Sequence, residues 1–81
     1  MKMRREHFEH LRAALAPLDT PDLRAHYKGN GMSDMRYRWD LVWRAGLSNW
    51  ICDNLYRSQD GYDYLNDEHI NTALRRIVPS L

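Results

Sequence analysis

The sequence predicts an all-α fold, a small orthogonal bundle of four to five short helices over about 3–16, 21–28, 34–45, 49–57 and 67–78. Three observations carry this reading. Apolar residues recur at spacings of three and four, the period of one helix face. Thr20, Ser33, Ser48 and Asn66, residue types that cap helix N-termini, stand just before the periodic stretches. Pro17, Gly29-Asn30-Gly31, Gly46 and Pro79 punctuate their ends. A chain of 81 residues allows one domain, 1–81.

In the first helix Phe8, Leu11, Leu15 and Leu18 make one apolar stripe, and Pro17 ends the helix or distorts its last turn. In the second, Thr20 is the N-cap, Pro21 takes the first helical position and Asp22 meets the positive dipole end. Leu23, His26 and Tyr27 supply its inward face. The third helix is capped by Ser33, with Met32 placed to staple onto Tyr37. Met35, Trp39, Val42 and Trp43 are its expected inward stripe, widened by Tyr37 and Leu41. Gly46 suits the left-handed closing position, with Leu47 folding back on Val42. Ser48 caps a fourth helix that turns Ile51, Cys52, Leu55 and Tyr56 inward. Residues 58–64 read as a loop or, less favourably, a short hairpin arm. In the last helix Asn66 caps, Leu65 staples to Ile70, and Ile70, Ala73, Leu74, Ile77 and Val78 form the stripe.

Composition narrows the function classes. Net charge is only +1, and of 12 basic residues all but Lys2 and Lys28 are arginine. Three Trp and five Tyr accompany them. Arg, Trp and Tyr are the types enriched at the energetic centres of protein interfaces. The same residues also suit a core coated by snorkelling arginines. The question they pose is whether so small a domain can bury all its large aromatics. A lone Cys52 points to a reducing compartment and supplies no staple. The basic start, Met1 to Arg5, runs into Glu6-His7-Phe8-Glu9-His10 rather than an apolar leader segment. No apolar run approaches the roughly 20 residues of a membrane span. A cytoplasmic protein without membrane contact is the expectation.

Catalytic and metal chemistry find little support. His7 and His10 share a helix face, but a metal centre needs three or four convergent ligands. Cys52 falls on the expected inward face, where cysteine acts as a small hydrophobe. Gly29-Asn30-Gly31 is too short for a phosphate loop. The expectation is no enzyme, no metal and no cofactor. A helix-turn-helix over 38–45 and 48–57 is the rival reading, with Gly46 at the turn. Its second helix would offer Ser48, Asn49, Trp50, Asp53, Asn54 and Arg57 to DNA, a surface poor in cations.

Two stretches, Arg36-Tyr37-Arg38-Trp39-Asp40-Leu41 leading to Ala45-Gly46-Leu47, and Tyr64-Leu65-Asn66-Asp67-Glu68-His69-Ile70-Asn71-Thr72-Ala73-Leu74, resemble a group of small proteins encoded by tailed bacteriophages and prophages. The resemblance spans about Ser33 to Val78. It implies an accessory protein that binds a host protein in the host cytoplasm, a defence component being one such target, and inhibits or redirects it. The residues expected at the contact are Arg36, Tyr37, Arg38, Trp43, Trp50 and Arg57. A homodimer and a nucleic-acid complex are the other partners the sequence allows.

Overall fold

The computed structural model describes residues 3–57 and 65–81, all helix, turn or loop. The helices are α1 (Arg5–Leu15), α2 (Pro21–Gly29), α3 (Asp34–Arg44), α4 (Ser48–Ile51) and α5 (Asp67–Ile77). A 3-10 turn, Ala16–Leu18, finishes α1 around Pro17, and α4 runs on as a π-helical turn, Cys52–Tyr56. The loop-or-hairpin segment lies outside the described residues.

Local chemistry explains the boundaries. The Thr20 hydroxyl accepts from the Leu23 amide at 3.3 Å, and the Ser33 hydroxyl from the Arg36 amide at 3.1 Å. Each satisfies an N–H left over at a helix start. Gly46, at φ +70°, closes α3: the Gly46 amide donates to the Trp43 carbonyl and the Leu47 amide to that of Val42. Gly31, at φ +69°, does the same after α2, with the Met32 amide reaching back to Tyr27. Both are Schellman closures, which need a residue free to adopt positive φ. At α5 the Asn66 side chain accepts from the His69 amide, and His69 Nδ1 accepts from the Asn66 amide, both at 3.1 Å. This reciprocal box uses histidine where Glu or Gln is usual.

One expected cap and one expected staple differ. Ser48 is the first residue of α4 rather than its cap, since the Schellman closure already directs the chain from Leu47 into the helix. Met32 stays 41% exposed and adds little as a staple.

Every described element feeds one core. Leu11, Leu15, Tyr27, Tyr37, Leu41 and Val42 meet Leu47, Ile51, Leu55, Leu65, Ile70, Leu74 and Val78. The Leu65 amide donates to the Leu55 carbonyl, and the Tyr56 hydroxyl to Asp67, tying the π turn to the start of α5. Trp39 Nε1 donates to Asn71 Oδ1 at 2.8 Å, joining α3 to α5.

Three inward assignments are corrected. Cys52 is exposed, because Leu47, Ile51 and Leu55, each four residues apart, form the buried line and leave Cys52 beside it. His26 is exposed, its ring edge-on to Tyr27. Phe8 is half-buried outside the core, beneath the Arg76 guanidinium at 4.9 Å from its ring.

Candidate functional site

The third helix is turned differently from the expectation, and this decides the site. Its buried residues are Tyr37, Arg38, Leu41 and Val42. At 100° per residue, that set places Trp43 and Arg36 on the opposite side. Trp43 is 76% exposed, and Arg36 is exposed seven residues before it on the same outward line. The sequence placed Trp43 both on the inward stripe and among the contact residues; the structure removes it from the core.

A polar network fixes this rotation. Tyr37 is fully buried, and its hydroxyl donates to Asp19 Oδ1 at 2.6 Å. Burial first, and the bond to Asp19 second, push the phenol up to about 12, so it stays a neutral donor. Arg24 also holds Asp19, at 2.6 Å, and donates to the carbonyls of Pro79 and Ser80. Arg38 is 5% exposed; its Nε donates to the Val78 carbonyl at 2.8 Å, and its terminal nitrogen lies 3.4 Å from Ser80 Oγ. The Leu81 amide donates to Asp34 Oδ1 at 2.8 Å. Residues 78–81 thus form a strap held on α2 and α3 by two arginines and an aspartate.

Tyr37 and Arg38 are therefore corrected as contact residues. An apolar-period reading assigns arginine outward by type. It does not foresee a guanidinium buried because backbone carbonyls of the strap satisfy it.

The outward face of α3 is ordered by its own chemistry. Arg36 Nε lies 3.3 Å from Asp40 Oδ1, and the Tyr27 hydroxyl donates to Asp40 Oδ2 at 2.7 Å. The bond to Asp40, followed by burial, raises the Tyr27 phenol above its ordinary value. Arg44 is exposed beside Trp43. The face presents a large aromatic, a guanidinium braced by a carboxylate, and a second guanidinium. Asp40 was missed from sequence, and its signal was the i, i+4 spacing to Arg36.

Trp50 has ring neighbours of its own within the fold. It stacks on His10, with ring centroids 4.4 Å apart and planes 23° apart, and meets the edge of His7 at 5.5 Å. Its indole joins α4 to α1 and is only half-buried. The His7–His10 pair finds an aromatic neighbour, and no group of three or more His, Cys, Asp or Glu among the described residues is placed to hold a metal.

Burial first, then the Arg4 charge, lowers His7 below the ordinary imidazole value of 6.5, with His10 adding to this and Glu6 opposing it. The folded state thus disfavours the His7 proton. The unfolded chain takes it up first as pH falls, so this contribution is complete above pH 6.5 and is lost below it. The expected result is a melting temperature that falls between about pH 7 and 5, with a shallower slope in His7→Phe. Equal slopes in thermal melts of the two proteins would contradict it.

Arg57 is exposed and pairs with Asp53 at 3.5 Å. The second helix of the helix-turn-helix reading keeps α geometry only over Ser48–Ile51. Of its expected DNA-facing residues, Trp50 lies against α1, Asn54 Nδ2 donates to the Trp50 carbonyl, and Arg57 is paired. That leaves little continuous surface for a major groove.

Among the described residues no helix is long and apolar enough to cross a membrane. Comparison with protein-family models, with curated proteins and with solved structures found no match for the chain.

Proposed function

We propose that this chain is a small accessory protein of the phage type that binds a host protein through the outward face of α3 and inhibits or redirects it, a host defence component being one such target. The observation that carries the reading is Trp43, 76% exposed on a helix whose other side is fully committed to the core. A tryptophan in water forgoes the apolar burial that a partner pocket would provide, and such residues dominate interface energetics. Arg36 and Arg44 flank it, and Asp40 already orients Arg36, which reduces the ordering cost of binding. The resemblance over Ser33 to Val78 supplies the phage context.

The test is capture from a lysate of the bacterial host by tagged protein, compared with Trp43→Ala. A host protein held by the parent chain and lost with the variant supports the reading. Equal capture by both would remove α3 from the interface. A duplex-DNA gel shift at low salt, abolished by Arg57→Ala, would instead favour the helix-turn-helix reading.

A further inference from the structure

A second surface lies between α1 and α5. It is a groove of about 560 Å³, within the range of built binding clefts. From α1 it is lined by Arg5, Phe8 and Arg12, and from α5 by His69, Ala73 and Arg76. Each set follows the i, i+3 or i+4, i+7 rule, so one whole stripe of each helix faces the trough. Neither stripe is used to bury its helix in the core, apart from Ala73 at the floor.

The chemistry of the lining selects the occupant. Phe8 and Ala73 make an apolar floor, and the rims carry three arginines against one carboxylate, Glu9. Arg12 pairs with Glu9, which leaves Arg5 and Arg76 as the cations open to a ligand. Arg5 is exposed and makes no hydrogen bond or ion pair among the described residues. Arg76 is already placed, over the Phe8 ring. Single-stranded nucleic acid fits poorly: Phe8 is the one Phe, Tyr or Trp ring in the lining, where a strand needs successive stacking platforms, and a run of phosphates would find only Arg5 and Arg76 open to it. The trough is bordered by one stripe of each helix, each about two turns long, a length that matches the ridge of a third helix.

We propose that the α1–α5 groove is a second binding site, and that it takes an acidic amphipathic helix of a partner protein. Its apolar side chains would sit on Phe8 and Ala73, with its carboxylates on Arg5 and Arg76. No residue of α3 lines this groove, so the site stands whether or not Trp43 is a contact.

The test is an NMR titration of the full chain with a synthetic peptide of about 14 residues, long enough for partial helix, carrying leucine on one face and glutamate beside it. The same peptide with lysine for glutamate and an oligothymidine of about 15 nucleotides serve as comparisons. The acidic peptide is expected to shift the amides of His69, Thr72 and Ala73 and leave the Trp43 indole unmoved. Arg5→Glu with Arg76→Glu should weaken it at least about tenfold, more so at low salt, while Trp43→Ala leaves it unchanged. Arg5→Glu alone, at an exposed residue with no hydrogen bond or ion pair among the described residues, covers the case in which Arg76→Glu disturbs Phe8. No binding of the acidic peptide at about 1 mM, the weakest end of specific affinity, would overturn the proposal. So would equal binding of the lysine peptide, insensitivity to the arginine reversals, or displacement of the acidic peptide by oligothymidine.

Discussion

Arg38→Ala is expected to destabilise the fold by about 2–4 kcal/mol, far more than an exposed arginine would. The guanidinium is almost fully buried and donates to the Val78 carbonyl. Removing it breaks a charge-assisted bond and leaves a buried acceptor short of a donor. The aliphatic stem is lost from the core as well. Arg24 and Asp34 would still hold part of the strap, through Pro79, Ser80 and Leu81, which is why the effect stops short of unfolding. For a domain of 81 residues, whose total stability is about 4–12 kcal/mol, the loss is nonetheless a large fraction. Arg38→Lys should recover little, because an ammonium lacks the fork that reaches two acceptors. The urea midpoint measures it: a change below about 0.5 kcal/mol would return Arg38 to the surface.

Trp43→Ala should do the reverse, leaving the midpoint unchanged while reducing partner affinity at least about thirtyfold, the scale of an interface hot spot of 2 kcal/mol or more. The side chain is three-quarters exposed, so its removal opens no cavity. Arg36→Glu is a milder companion. It reverses a rim charge and breaks the pair with Asp40, so its effect should fall mainly on association rate and salt dependence. The opposite responses of neighbouring α3 positions, Arg38 in stability and Trp43 in binding, follow directly from the rotation of the helix.

Much of the architecture was legible because it is written in local chemistry. Thr20, Ser33 and Asn66 cap as their residue types require, and Gly46 closes α3 at positive φ. The Leu65 and Ile70 pair enters the core, as do Leu11 and Leu15 of the α1 stripe. What was not legible depends on contacts distant in sequence. The phase of α3 is set by Asp19 taking the Tyr37 hydroxyl and by the strap taking Arg38, partners 18 and 40 residues away. Counting hydrophobes cannot see either, so it turned Trp43 inward and Arg38 outward. Trp50 looked like surplus because its partners, His7 and His10, lie on another helix. The aromatics also answer the question their number raised. Tyr27 and Tyr37 lie in the core, Trp39, Trp50 and Tyr56 pack against it, and Trp43 alone among the described Trp and Tyr residues is left exposed.

Whether that exposed tryptophan meets a partner is read most directly by photocrosslinking. A benzophenone amino acid placed at Trp43, in cells of the host, should yield one discrete adduct with a protein other than this chain. The same group at Ala25, exposed on α2 and outside the α1–α5 groove, should yield none. An adduct at twice the chain's own mass would make the α3 face a self-association surface, and the absence of any protein adduct at position 43 would contradict the account.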